Sequence, residues 1–303
     1  GQKFLKYAIH TLKRRLEEAG YQAVVPFYTP DFTIRANTDD PALPGIASSW
    51  SERHVAFAAG LGTRLKPITD SLPKALVPVA GVPLLEHVIR KLQRAGMDEF
   101  VVNVHHFSQQ IIDFIDANDG FGAQISVSDE QPEPLETGGG ILKARDLLLA
   151  GSGPDGRFLV HNVDILSDLD VASFCSNVRP DALATLLVSP RKTQRYFLFN
   201  DDMRLVGWTN IATGEVRTPF AGLDVEACHK YAFAGIHCLS NRVFDVMEEQ
   251  GREGRFPIVD FYLRAAAVHP IYGVVPEHLE LVDVGKLETL AKAEAFLKEI
   301  AAD

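Results

Sequence analysis

An α/β fold built on an open mixed, mainly parallel sheet with helices on both faces is what this sequence predicts. Three observations carry that prediction. Apolar runs of strand length alternate with helical periodicity between residues 54 and 162, the order that makes βαβ units. A glycine pair, Gly60 and Gly62, directly follows the first of those runs, where an open α/β sheet places a ligand loop. The 303 residues, 46% apolar and 23% charged, are enough to bury a core without staples.

The elements follow in order. Phe4, Leu5, Ala8, Ile9, Leu12 and Leu16 recur at helical spacing with Gly20 as a stop, a strand-like run follows over 23–28, and Pro30, Pro41 and Pro44 mark 29–51 as loop. Through Arg53 there are seven Lys/Arg against six Asp/Glu, so the net −10 lies in the remaining 250 residues, which carry −11. That shift places a junction near Arg53 and divides the chain into an extension, 1–53, and a domain, 54–303. The domain opens with a strand over 54–59, then a helix over 83–95 that Gly96 stops. A strand over 100–104, a helix over 109–117, a strand over 124–128, a helix from about 140 to 149 and a strand over 158–162 complete the alternation. Short strands and turns are expected over 182–239, and helices over 241–250, 257–268 and 286–300. No internal repeat is present.

Composition also excludes classes of function. A net charge of −10 opposes nucleic-acid binding, which wants a basic face. No apolar stretch reaches the ~18 residues that span a bilayer, and the basic residues among the first 20 break any signal peptide. Cys175, Cys228 and Cys238 are separated by 53 and 10 residues, which fits no zinc or iron–sulfur spacing. A reducing, cytoplasmic setting is the expectation.

The chemistry is expected first at Ala58-Ala59-Gly60-Leu61-Gly62-Thr63-Arg64-Leu65. Glycines there let backbone N–H groups approach oxyanions, although a lone Gly-x-Gly is as often an ordinary tight turn. A dinucleotide fingerprint needs Gly where Leu65 stands, and a Walker loop needs a following Gly-Lys-Ser/Thr. Pro67 and Pro73 stiffen the next stretch, which carries Arg64 at one end and Lys74 at the other. Two fixed cations suit a triphosphate; a surface charge pair is the plainer alternative.

Taken together, Gly60-Leu61-Gly62-Thr63-Arg64-Leu65-x-Pro67-x-Thr69-x-x-x-Pro73-Lys74 resembles the signature of the sugar-1-phosphate nucleotidylyltransferases. Within that family the chain is most similar to the short N-acetylmuramate-1-phosphate uridylyltransferases and mannose-1-phosphate guanylyltransferase-like proteins, over about residues 55–300. The resemblance implies a Rossmann-like fold of the nucleotide-diphospho-sugar transferase type. It also implies the reaction NTP + sugar 1-phosphate → NDP-sugar + pyrophosphate, with UTP or GTP as the nucleotide and Mg²⁺ as cofactor.

By the same resemblance Arg64 holds the leaving pyrophosphate and Lys74 the α-phosphate and the incoming phosphate. Ala59, Gly60, Gly62 and Thr63 bind nucleotide. Leu135-Glu136-Thr137-Gly138-Gly139-Gly140-Ile141 matches the second glycine motif, so Glu136, Gly138 and Gly139 join the nucleotide site and Gly140 the sugar side; Thr137 also reads as a helix cap. Asp164, after the strand over 158–162, and Asp283, in Leu281-Val282-Asp283-Val284-Gly285, match the two metal-binding acids. Hard oxygen ligands suit Mg²⁺; Asp164 reads equally as a helix cap. Trp208, Asn210 and Gly235 fall in the acceptor-sugar region together with Arg191 and Tyr196. There Trp208 either stacks on a pyranose or fills the core. The family's second phosphate-binding lysine, in a Glu-Lys-Pro context, has no counterpart; Arg217 and Lys230 are the candidates to replace it. His105-His106 reads as structural.

The first 53 residues are of another origin. The run Gln22-Ala23-Val24-Val25-Pro26-Phe27-Tyr28-Thr29-Pro30 and the run Ser49-Trp50-Ser51-Glu52-Arg53-His54-Val55-Ala56 resemble iron–sulfur epoxyqueuosine-reductase-like proteins. No clustered cysteines follow, so no cluster is expected. Two other functions compete with the transferase: a non-catalytic sugar-nucleotide-binding regulator and, from the extension, a redox protein.

Overall fold

The computed structural model describes residues 53–57, 62–150, 152, 153 and 155–300. The helix, strand and loop expected over 1–51 lie outside those residues, as do Ala59 and Gly60. The chain divides into two compact units, Gly1–Ser48 and Ser49–Asp303. That boundary falls five residues before the expected junction and leaves strand β1 (Arg53–Phe57) whole.

Beyond the glycine loop three single 3₁₀ turns, Thr63–Leu65, Ile68–Asp70 and Lys74–Leu76, carry the chain to the small ribbon β2 (Pro78–Val79) and β3 (Val82–Pro83). Helix α1 (Leu84–Arg94) buries Leu84, Leu85, Val88, Ile89 and Leu92, one stripe of a 3.6-residue period. Gly96 ends it with φ +90°, a left-handed backbone glycine adopts freely. Next come β4 (Glu99–Val104), α2 (Ser108–Ala117) and β5 (Gln124–Asp129), close to their expected bounds.

The single helix expected over 140–149 is instead two, α3 (Glu136–Lys143) and α4 (Arg145–Leu149). The glycine run, which lowers helix propensity, lies inside α3 because packing demands it, as shown below. Then follow β6 (Arg157–Asn162), β7 (Ile165–Ser167), α5 (Val171–Ser176), β8 (Ala184–Ser189), β9 (Arg195–Phe199), β10 (Leu205–Asn210), β11 (Glu215–Arg217) and β12 (His229–Ser240). Helices α6 (Val243–Glu249) and α7 (Ile258–Ala265), strands β13 (Ile271–Val274) and β14 (Leu281–Asp283), and helix α8 (Leu290–Ile300) complete the order.

The main sheet runs β5-β4-β1-β6-β12-β9-β10-β11, with β8 on β12 and β13 on β8. Its first four strands are parallel. From β12 onward the pairing is antiparallel along the β9–β11 branch, so the sheet is mixed, with the parallel character concentrated on the β1 side. Both faces are covered. Phe100, Val102, Val104 and Leu159 turn toward one cluster with α1, α2, α5 and α8. The alternate residues Val101, Phe158 and Val160 turn toward the other, with α3, α4, α6 and α7, as the two-residue strand period requires.

Candidate active site

The site begins where β1 hands over to the glycine loop. Gly62 has φ +62°, and its carbonyl accepts hydrogen bonds from the Leu65 N–H and the Thr69 hydroxyl, both at 2.8 Å. A Cβ at Gly62 would lie 2.9 Å from Thr69 Cγ2 and 3.1 Å from Lys74 Cβ. Glycine is therefore required twice, by backbone angle and by space. The turn fixes Arg64 and Lys74 relative to the sheet. Lys74 is only 9% exposed, and its ammonium pairs with the Asp164 carboxylate.

Asp164 is positioned by the end of β6, and Asp283 by the antiparallel pairing of β14 on β7, which sets Asp283 opposite Ile165. The Val284 N–H donates to the Asp164 carbonyl at 2.8 Å, so the two acids converge from 119 residues apart. Arg64 joins them: a Cβ on Gly285 would lie 2.8 Å from Asp283 Oδ1 and 2.9 Å from Arg64 Nη2. Shielding from water, then the nearby Asp164 charge, pushes the Asp283 carboxyl above its ordinary value, while Lys74, Arg64 and Arg191 oppose that. Two mutually repelling carboxylates, in a cleft lined by no imidazole or thiol, form a donor set that fits Mg²⁺, an ion that keeps waters and shares phosphate oxygens. Among the described residues no group of three or more His, Cys, Asp or Glu is arranged to hold a metal unaided.

Arg64, Lys74 and Asp164 line one cleft of about 410 Å³, and Asp283 stands beside its Gly285 wall. Its walls include Gly62, Thr63, Arg64, Lys74, Asp164 and Gly285, and on another side Glu130, Glu136, Thr137, Asn162 and Arg255. Glu136 and Thr137 thus reach the cleft. Gly138, Gly139 and Gly140 are buried in α3 instead. A Cβ on Gly138 would lie 2.3 Å from the Phe256 ring, and one on Gly139 2.2 Å from the Gly254 carbonyl. These two glycines admit the 254–256 segment, and neither they nor Gly140 line the cleft.

On the sugar side, neither Trp208 nor Asn210 lines the cleft. Trp208 is 9% exposed, packs in the core and has the Arg217 guanidinium 4.2 Å from its ring, so it has no open face for a pyranose. The Asn210 carboxamide accepts from the Ala212 N–H at 3.1 Å, closing a turn. Arg217 also pairs with Asp260 at 2.5 Å and Lys230 with Glu226 at 2.9 Å, and neither cation lines the cleft. Gly235, at φ +75° in the β12 bulge, leaves room for Asn162: a Cβ there would lie 2.7 Å from Asn162 Nδ2. Its contribution is space for a cleft residue. His105 is buried and its carbonyl accepts from Gln131 Nε2 at 2.8 Å, a structural use.

Sequence reasoning missed Glu130, Asn162 and Arg255. Glu130, 2% exposed, accepts from Asn103 Nδ2 at 3.0 Å and the Leu135 N–H at 2.9 Å, and burial raises its carboxyl. It ties β4 to the start of α3. An acid in Asp129-Glu130-Gln131-Pro132 carries no periodic signal of burial, and Arg255 reads as one more charge in a glycine-rich turn.

Comparisons with known proteins bear on the family and the fold. The Nucleotidyl transferase family model matches residues 53–199. An N-acetylmuramate alpha-1-phosphate uridylyltransferase of Caulobacter vibrioides is 32% identical over 251 residues, covering 81% of this chain and 96% of that protein. Its namesake in Neisseria meningitidis is 42% identical over 114 residues, 38% of this chain and 47% of that one. In the solved inositol-1-phosphate CTP transferase of T. maritima the fold superposes with a TM-score of 0.64 at 14% identity, over 83% of this chain and 96% of that chain. No helix among the described residues is long and apolar enough to cross a membrane. With this cleft on this sheet and a relative matched over nearly its whole length, the chain belongs to the sugar-1-phosphate nucleotidylyltransferases.

Proposed function

We propose that the chain is a uridylyltransferase that joins UTP to an N-acetylhexosamine 1-phosphate of the N-acetylmuramate kind and releases pyrophosphate. The observation that carries this is the convergence of Gly62, Arg64, Lys74 and Asp164 on one cleft, with Asp283 beside its Gly285 wall. The choice of uridine and of the sugar is supported by the Caulobacter vibrioides relative, an N-acetylmuramate alpha-1-phosphate uridylyltransferase matched over 96% of its length.

In the reaction, a phosphate oxygen of the sugar attacks the α-phosphorus, a new P–O bond forms, and the bond to the β-phosphate breaks. No protein nucleophile is needed, so the side chains work by positioning and charge neutralisation. Arg64 holds the leaving pyrophosphate, and Lys74 faces the α-phosphate and the incoming phosphate. Gly62 brings backbone N–H groups close to the triphosphate. Asp164 and Asp283 would hold Mg²⁺, which when bound offsets phosphate charge.

The test is pyrophosphate release from UTP or GTP with a panel of sugar 1-phosphates. Release that needs both substrates and favours UTP is expected. No release with any pairing would refute the reading.

A further inference from the structure

We propose that Arg255, held at the rim of the cleft by Glu136, selects an acceptor sugar that carries a carboxylate. The inference rests on the reaction proposed above and adds the group on the acceptor that is read.

The backbone around Arg255 is fixed against α3. The Phe256 N–H donates to the Leu135 carbonyl at 3.2 Å, and the Phe256 carbonyl accepts from the Gly138 and Gly139 N–H groups at 3.1 and 3.2 Å. The two glycines leave no space for a Cβ at this contact, so the segment cannot drift from the helix without losing all three bonds.

The side chain is only half used. Nε donates to Glu136 Oε1 at 2.8 Å, and Nη2 stands 2.8 Å from the same oxygen. Nη1 and Glu136 Oε2 have no partner among the described residues, and the Arg255 side chain stays 59% exposed while lining the cleft. Two cations, Arg64 and Lys74, already stand where the phosphates meet. A third guanidinium, on a separate wall and carried by a different segment, is not needed for phosphate charge.

The support for Arg255 also stores strain. Glu136 has φ +59°, a backbone region that glycine enters freely and a glutamate enters only under strain. A turn alone would be better served by glycine. The carboxylate at 136 does what glycine cannot: it orients a guanidinium across 119 residues of sequence.

A planar guanidinium with donors to spare matches a carboxylate, which it binds through paired N–H···O bonds. The hydroxyls of a neutral sugar offer no such match. N-acetylmuramate differs from N-acetylglucosamine by a lactyl ether whose carboxylate is ionised at neutral pH, so the two 1-phosphates form a matched pair of acceptors.

The experiment compares wild type, Arg255→Gln and Arg255→Lys with UTP and each of the two acceptors. Wild type should favour the acidic sugar. Arg255→Gln should lower the acidic-to-neutral ratio of kcat/KM by about tenfold to a hundredfold, the range for a lost charge-assisted contact, mainly through KM for the acidic sugar. Arg255→Lys, which keeps the charge but not the fork, should retain part of the ratio. An unchanged ratio, a loss shared equally by both acceptors, or a loss that falls on the KM for UTP overturns the assignment. Wild type that prefers the neutral sugar overturns it while leaving the reaction standing. Wild type that turns over neither sugar removes the reaction itself and this assignment with it.

Discussion

Lys74 and Asp164, 90 positions apart, form an ion pair on the wall of the cleft, with side chains only 11% and 20% exposed. The pair links the first cation-bearing turn to the end of β6, so each residue holds the other in place besides any part in chemistry. Removing one charge leaves the other poorly solvated and unpaired.

Two readouts follow for Asp164→Asn. Turnover should fall on the order of 10³-fold or more, as expected when several kcal/mol of metal stabilisation is lost. Stability to urea should fall by about 2 kcal/mol, because the Lys74 ammonium loses its partner. Adding Lys74→Met should restore much of the stability and none of the turnover. Near wild-type turnover at saturating Mg²⁺ would remove Asp164 from the metal site.

Gly62→Val should abolish triphosphate binding with little effect on acceptor binding. The substitution places a β-branched side chain at φ +62° and within 2.9 Å of Thr69, which must push the turn away from the cleft. Titration calorimetry with UTP reads this directly, and unchanged affinity would make the turn purely structural.

Much of this site was legible in the sequence, for a physical reason. Gly62, Arg64, Lys74, Asp164 and Asp283 sit at strand ends or in proline-stiffened turns, where local pattern dictates conformation. What local pattern does not carry is distance. The motif at 136–140 reads as a ligand loop, yet its glycines at 138 and 139 answer to Phe256 and Gly254, more than a hundred residues on. Trp208 sits on a strand buried at every position from 205 to 209, and only its packing with distant core residues decides that its ring is core. Glu130 and Arg255 gain meaning from partners that no spacing rule reaches. The helix over 140–149 was misplaced for the same reason, since glycines argue against helix until packing overrides them.

Acid should destabilise the protein through two buried histidines. His161 and His237 are fully buried in the sheet, and burial lowers them to about 4 and about 3. With folded values below the unfolded ~6.5, the unfolded chain takes up protons first, so stability is kept above about pH 6.5 and lost as pH falls toward the folded values. At pH 5 each histidine should cost about 2 kcal/mol relative to pH 8. Urea melts at the two pH values measure the slope, and His161→Gln should remove about half of it; a slope unaltered by that change would assign the acid sensitivity to other groups.

Removal of residues 1–48 should leave nucleotidylyl transfer intact. The cut follows the division of the chain into two units at Ser48/Ser49 and spares Arg53, which pairs with Glu99 as β1 joins β4. A cut after Arg53 would shorten β1, the strand that lies between β4 and β6 and delivers the glycine loop. Every described residue assigned to the cleft lies between Gly62 and Gly285, so none is lost. The apolar stripe of Phe4, Leu5, Ile9, Leu12 and Leu16 makes yield a poor measure, because its loss changes solubility by itself. Activity per folded molecule is the quantity to compare, with folded fraction taken from near-ultraviolet circular dichroism. A folded truncation that binds UTP with full affinity yet releases no pyrophosphate would show that the extension supplies part of the active site, and the division at Ser48 would then cut through a single functional unit.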